Sequence, residues 1–154
     1  TGGDNGTVVA GGNGQGNNIN QLNGPNCIYL DSISNTMYIA NKAGHSVMKW
    51  KIGDISGTFI AGTPGVAGSN STSLSGPDAV RLDLYGNLYV SEFNNHRIQM
   101  FSPNNSTGTT IAGTGVSGIS ANQLNAPEGF TFDSQMNLYA SDTANHRIQK
   151  FMIL

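Results

Sequence analysis

The sequence predicts an all-β fold made of three tandem repeats, and three observations support this prediction. The 154 residues include 21 glycines and only 10% charged residues, a composition that disfavours long helices. Valine, isoleucine, tyrosine, phenylalanine and threonine instead recur in short runs bounded by turn residues. Four sequence landmarks return at a spacing of 50 to 52 residues. We therefore place repeats at about 6–56, 57–107 and 108–154 of a single domain that covers 1–154.

The first landmark is a short apolar segment between glycines, which predicts the first strand of each repeat. Its copies are residues 7–10, 58–61 and 109–112. A polar loop rich in Gly, Asn and Ser follows each copy, at 12–23, 63–73 and 114–123. The next landmark is the proline that opens the second strand of each repeat, at Pro25, Pro77 and Pro127.

Three further strands follow each proline. The second strand alternates apolar and polar residues, as in 79–83, and a turn at 85–87 leads into a Leu-Tyr strand. Another turn leads into a strand that begins at a histidine. We expect the aspartates that end the second strands to accept turn hydrogen bonds; they are Asp31, Asp83 and Asp133. Four antiparallel strands in a repeat of this length predict a β-propeller with one four-stranded blade per repeat.

The end of each repeat resembles the NHL-repeat signature. The third repeat carries Leu138-Tyr139-Ala140-Ser141-Asp142 and Asn145-His146-Arg147-Ile148-Gln149-Lys150-Phe151, and residues 88–101 are similar. The first repeat departs from the signature, with Gly44-His45-Ser46-Val47 and with Asn41 in place of the acid. The resemblance covers essentially the whole chain. It implies a β-propeller, commonly six-bladed, but it does not imply a function, because members bind RNA, bind proteins or catalyse reactions.

Three blades are too few to close a ring, since known propellers have about four to eight. A half ring would expose an apolar blade face and unpaired strand edges at each end. The chain begins with a predicted outermost strand and ends on the third strand of a blade, so we expect a homodimeric six-bladed ring in which the ends pair across subunits. The predicted interface residues are Thr7, Val8, Val9, Ala10, Arg147, Ile148, Gln149, Lys150 and Phe151. The alternative is that the chain is a fragment of a longer protein.

The residues that follow the prolines differ between repeats, and we expect them to ring one mouth of the channel. The candidate ligand-binding residues are therefore Asn26, Asp78 and Glu128, with the turn residues Asn41, Glu92 and Asp142. Such an acidic and polar rim suits a cation or a basic peptide, and we expect the loops of the module to recognise a protein or carbohydrate ligand. The net charge of −2 argues against nucleic acid and acidic membranes as partners. No apolar run approaches the roughly 18 residues of a membrane helix.

Histidines occupy one equivalent position in every repeat, at His45, His96 and His146. We interpret them as structural, each making one repeated hydrogen bond, for example to a backbone carbonyl. The leading hypothesis is thus a non-enzymatic, self-assembling scaffold with no cofactor, metal or catalytic residue. However, three is also the usual number of protein ligands at a catalytic zinc site, and three imidazoles around a ring would supply it. Amidating lyases of the NHL-like class resemble this arrangement, which implies the alternative of a metal-dependent lyase or hydrolase with a site at the channel mouth.

The compartment is left open by the sequence. Acceptor motifs for N-glycosylation occur at Asn5, Asn70, Asn104 and Asn105, which favours a secreted protein. Several such matches arise by chance in a chain this rich in Asn, Ser and Thr.

Overall fold

In the computed structural model, which describes residues 5–152, eleven strands form three antiparallel sheets. Blade 1 consists of β1 (Pro25–Asp31), β2 (Thr36–Asn41), β3 (Ser46–Lys51) and β4 (Thr58–Gly62). Blade 2 consists of β5 (Pro77–Leu82), β6 (Leu88–Glu92), β7 (Arg97–Phe101) and β8 (Thr109–Gly113). Blade 3 consists of β9 (Pro127–Phe132), β10 (Leu138–Asp142) and β11 (Arg147–Phe151), with a 3-10 turn at Thr143–Asn145.

Each four-stranded blade combines three strands of one repeat with the first strand of the next repeat. The strand order is sequential, so β4 and β8 lie at the edges of blades 1 and 2, beside β3 and β7. Neighbouring blades pack through the opposite edge, where β5 contacts β1 and β2, and β9 contacts β5 and β6. The predicted all-β architecture of antiparallel propeller blades is therefore confirmed.

The turn after the first strand of each blade is held by the aspartate that ends the strand. In blade 2, Asp83 Oδ1 accepts hydrogen bonds of 2.9 Å from the backbone N–H groups of Tyr85 and Asn87. Asp133 makes the equivalent bonds in blade 3, which confirms the predicted role of these aspartates. The hydroxyl of Tyr89 donates to Asp83 Oδ2 at 3.1 Å. Burial, together with this bond, raises the pKa of Tyr89 to about 12.

Two of the three hydrophobic clusters lie between blades, as face-to-face packing of two-sided sheets requires. One cluster joins blades 1 and 2 and contains Ala40, Val47, Ala61, Leu74, Val80, Leu88, Val90 and Phe101. A second cluster joins blades 2 and 3 and contains Tyr89, Ile98, Ala112, Leu124, Phe130, Leu138 and Ala140. A third lies on the other face of blade 1, where Ala10, Leu22 and Phe59 pack against Met37, Ile39, Met48 and Trp50.

Candidate functional site

A buried carboxylate organises the second blade, and the repeated motif supplies its partners. Glu92 is fully buried, and its Oε1 accepts bonds of 2.7 Å from both Arg97 Nε and Gln99 Nε2. Its Oε2 accepts bonds from Asn95 Nδ2 at 2.5 Å and from the backbone N–H of Ser75 at 3.0 Å. Four hydrogen bonds on two oxygens satisfy a charge that would otherwise be very unfavourable in the interior.

Blade 3 repeats this arrangement around Asp142. Its Oδ2 accepts from Asn145 Nδ2 at 2.9 Å, from Arg147 Nε at 2.6 Å and from Gln149 Nε2 at 3.1 Å. Burial alone would raise the pKa of Asp142, but the bonds from Asn145, Arg147 and the backbone N–H of Asn125 outweigh it and hold that pKa below its usual value. The acid, Asn, Arg and Gln of the motif are therefore one hydrogen-bonded unit.

The first blade lacks this unit. Asn41 stands in the position of the acid and is fully buried, and Ser46 replaces the arginine. Asn41 Oδ1 accepts a 2.6 Å bond from the backbone N–H of Asn23. Within residues 5–152, however, Asn41 Nδ2 and Ser46 Oγ are buried without a hydrogen-bond partner.

The arginines of the motif also anchor the long polar loops. Arg97 donates to the backbone carbonyls of Ser69 at 2.8 Å and Asn70 at 2.9 Å. Arg147 binds the carbonyls of Ile119 and Ser120 in the same way at 2.8 and 3.1 Å. The loops preceding blades 2 and 3 are therefore tied to the blades they precede.

The predicted rim has to be corrected for its turn residues. We expected Asn41, Glu92 and Asp142 to be exposed at the channel mouth, but the exposed fraction of each is 0%. Each of these residues ends its strand. Its side chain turns inward and accepts a hydrogen bond from a backbone N–H in the loop that precedes its own blade. Their side chains are therefore not available to contact a ligand at the rim.

The residues after the prolines lie at the ends of the inner strands. Asn26 is exposed, and its Nδ2 donates to the backbone carbonyl of Asp78 at 3.2 Å. Asp78 itself is buried and forms an ion pair with Lys42, whose Nζ lies 4.5 Å from the centre of the Phe93 ring. Lys42 was not singled out from the sequence, because the other two repeats carry Phe93 and Thr143 at its position.

Glu128, in blade 3, is half-buried, and its backbone carbonyl accepts a 2.6 Å bond from Ser91 Oγ of blade 2. Asn26, Asp78 and Glu128 thus each take part in a contact between adjacent blades. Asn26 and Glu128 keep exposed surface, whereas the charge of Asp78 is neutralised by Lys42.

The repeated histidines link one blade to the next. His45 Nδ1 accepts a 3.2 Å bond from the backbone N–H of Gly76, and His96 Nδ1 accepts a 3.0 Å bond from that of Ala126. The predicted repeated hydrogen bond is confirmed at these two positions, but the imidazole accepts from an N–H instead of donating to a carbonyl. His146 occupies the same position in blade 3 and is exposed. Within residues 5–152 no group of three His, Cys, Asp or Glu residues is arranged to hold a metal ion.

The outer faces of blades 1 and 3 expose positions that are buried elsewhere. We call the face of blade 1 that carries Ile28 the first open face. Ile28 is 58% exposed, whereas its counterparts Val80 and Phe130 are 0% and 6% exposed. The second open face is that of blade 3 carrying Ile148, which is 68% exposed, whereas Ile98 is fully buried. In a propeller these two faces are the ones that neighbouring blades cover.

The predicted interface strand at residues 7–10 is not formed in the single chain. These residues pair with no strand among residues 5–152, and Val8 and Val9 are 72% and 45% exposed. A strand is defined by its ladder of hydrogen bonds, so residues 7–10 cannot be one without a neighbouring strand. The other predicted interface segment, β11, does form, and it is the edge strand of blade 3.

Comparison with known proteins identifies the fold but no family. No protein-family model and no curated protein matches the sequence, and no helix among the described residues is long and apolar enough to cross a membrane. An auxiliary nutrient binding protein from Bacteroides thetaiotaomicron aligns with a TM-score of 0.67 and 20% identity, over 80% of this chain and 36% of that chain.

Two further solved structures are similar. A catalytically inactive virginiamycin B lyase from Staphylococcus aureus with quinupristin aligns with a TM-score of 0.55 and 12% identity, over 89% of this chain and 44% of that one. A nidogen/laminin complex aligns with a TM-score of 0.55 and 14% identity, over 82% and 47%. This chain thus spans between 36% and 47% of the lengths of these three structures. At such identities the similarity shows the fold alone, and that fold is a β-propeller.

Proposed function

We propose that this chain is an NHL-type propeller scaffold that closes into a six-bladed ring with a second copy of itself. The observation that carries the proposal is the pair of open faces. Ile28 and Ile148 are exposed at positions that are buried at every blade junction within the chain. Docking blade 3 of one copy against blade 1 of the other buries both residues. Two such junctions, related by a two-fold axis, close the ring and leave no open face.

The internal junctions define what each new junction would contain. His45 and His96 accept from the residue that precedes the proline of the next blade. The equivalent bond at the new junction joins His146 Nδ1 to the backbone N–H of Gly24 in the second copy. Gly24 and Pro25 are exposed, whereas their counterparts Gly76 and Pro77 are buried.

The edge of blade 3 offers a register for the segment at 7–10. In blade 2, Ile98 pairs with Ala112, whereas Ile111 falls in a register shift and has no partner in the pairing. The same register pairs Ile148 with Ala10 of the second copy and leaves Val9 in the shift. Segment 7–10 would then become the fourth strand of blade 3.

The assembled ring would present Asn26 and Glu128 at one mouth of the channel to a protein or carbohydrate ligand. Both keep exposed surface, and the Glu128 carboxylate, unlike that of Asp78, forms no ion pair within residues 5–152. The alternative of a metal-dependent lyase or hydrolase draws no support from the histidines, because within residues 5–152 they do not converge with one another or with other potential ligands as a group of three.

An engineered disulfide tests the proposed junction and its register together. In a Cys27→Ser background, Ile148→Cys combined with Ala10→Cys should oxidise to a covalent dimer on a non-reducing gel. The matched control combines Ile148→Cys with Val9→Cys and should give little dimer, because Val9 falls in the register shift. Absence of cross-linking in the first variant, or equal cross-linking in both, would contradict the proposal. Absence of cross-linking would favour further blades of a longer protein as the occupant of the open faces.

A further inference from the structure

A cavity of about 360 Å³ lies between blades 1 and 2, at the end of the blades opposite Asn26 and Asp78. Tyr38, Phe59 and Ile60 of blade 1 form one wall. The facing wall is formed by Leu82, Leu88 and Phe101 of blade 2. The volume falls within the range of about 300–1,000 Å³ typical of small-molecule sites, which are also lined mainly by apolar and aromatic side chains.

The cavity is open because two side chains are small in blade 2. At the junction of blades 2 and 3, the Phe132 ring packs edge-on against Tyr89, with 4.7 Å between ring centres. The residue equivalent to Phe132 in blade 2 is Leu82, which is too short to cover Tyr38 in the same way. Gly86 likewise stands where blade 3 has Met136. The space is therefore specific to this junction rather than a general property of the blades.

The polar groups of the cavity favour an anion. Among the described residues, Lys49 is the one cation that lines it, and no carboxylate does. The Lys49 side chain is exposed, and its ammonium forms no ion pair within residues 5–152. The nearby Asp31 carboxylate is bonded to Ser34 and to the backbone of Ile33 in its own turn. The loop at 102–106 adds neutral amide and hydroxyl groups to the rim.

We infer that this cavity binds a small organic acid that carries an aromatic or branched apolar group. The apolar group packs between Tyr38 and Leu82, and the carboxylate pairs with Lys49. Because the Lys49 side chain is exposed, this ion pair adds only modestly to the apolar packing, as surface pairs do. The site lies within one chain, so it does not depend on ring closure and its test is separate from that of the proposed dimer.

Titration calorimetry with 3-phenylpropanoate and the uncharged 3-phenylpropanamide tests the inference, using the full chain produced without N-glycans. The acid should bind with a Kd near or below about 1 mM and bind more tightly than the amide. Lys49→Gln should weaken binding of the acid by about threefold, which corresponds to about 0.7 kcal/mol, and remove the preference over the amide. Lys51→Gln, on the same strand but outside the cavity, is the matched control and should bind as the unmodified chain does.

Filling the cavity tests the proposed binding site in a second way that does not depend on charge. Leu82→Phe installs the residue that blade 3 has at this position, and it should abolish binding of both compounds while the melting temperature is kept. Leu84→Phe, at an exposed turn position outside the cavity, should have no effect. The inference is overturned if the unmodified chain binds neither compound, if acid and amide bind equally, or if Lys49→Gln or a folded Leu82→Phe variant binds unchanged.

Discussion

His96 Nδ1 accepts a 3.0 Å hydrogen bond from the backbone N–H of Ala126, which belongs to the next blade. Ala126 is only 7% exposed, so its N–H depends on this imidazole for a partner. The histidine sits in the left-handed region at φ 50°, in the turn before β7. The turn thereby aims the side chain across the junction. One residue of the motif thus links consecutive blades.

Replacing His96 should weaken the junction between blades 2 and 3. His96→Asn keeps a residue that tolerates the left-handed conformation but is too short to reach Ala126. The unsatisfied N–H should lower the free energy of unfolding by about 1–3 kcal/mol in urea titrations. His146→Asn is the companion variant. If the ring forms, it should destabilise the dimer similarly, whereas an unaltered dimer would contradict the proposed bond to Gly24.

Removing the Arg97 side chain should be among the most destabilising substitutions in the chain. Arg97→Ala leaves the fully buried Glu92 carboxylate without its cation and releases the loop at 69–73. Breaking a buried pair in this way costs about 3–5 kcal/mol. Arg97→Lys keeps the charge but loses most of the carbonyl contacts, so its stability should be intermediate in guanidinium titrations. Equal stability of all three proteins would refute the assigned role of this network.

Acid should destabilise the chain through its depressed carboxylates. Hydrogen bonds hold the pKa of Asp142 below its ordinary value of 3.8, although burial opposes them. A group with a depressed pKa in the folded state stabilises the protein fully above the unfolded pKa, and this stabilisation is lost as the pH falls through the folded-state pKa. The contribution of Asp142 to the melting temperature should therefore be nearly constant from neutral pH down to about pH 5. It should decrease once the pH is lowered beyond about pH 4. The Asp142→Asn variant should have a lower melting temperature at neutral pH, and its melting temperature should decrease less in acid. An unchanged decrease in acid would contradict the depressed pKa of Asp142.

A charge on the second open face should prevent ring closure without unfolding the chain. Ile148→Glu places a carboxylate where the proposed junction is apolar and would have to be desolvated on docking. Sedimentation equilibrium should therefore show a monomer with the circular dichroism spectrum of the unmodified chain. Ile33→Glu is the matched control, because Ile33 is 97% exposed in a turn outside both open faces. If the Ile148→Glu variant dimerises as strongly as the Ile33→Glu variant, Ile148 does not lie in the junction between the two copies.

The architecture could be predicted from the sequence because the repeat carries it in local patterns. Strands with alternating apolar and polar residues, prolines at strand starts and aspartates at turns can each be recognised from a few consecutive residues. Residues 7–10 form no strand in the single chain, because a strand needs a partner that local sequence does not supply.

The site was harder to predict because it depends on side-chain direction and size. Glu92 was assigned to the rim from its place before a turn. The positions of Asn95, Arg97 and Gln99 at offsets of three, five and seven residues from it could have indicated a shared carboxylate. The cavity beside Lys49 had no sequence signal. It arises from the difference in size between Leu82 and Phe132, which matters only once the blades are packed.

The solution mass of the unmodified chain, measured by light scattering behind size exclusion, tests the ring most directly. We expect a single species of twice the 16.1 kDa chain mass that persists on dilution. Closed assembly through two identical junctions allows no larger product. A stable species of 16.1 kDa, or a mass that rises continuously with concentration, would contradict the six-bladed ring.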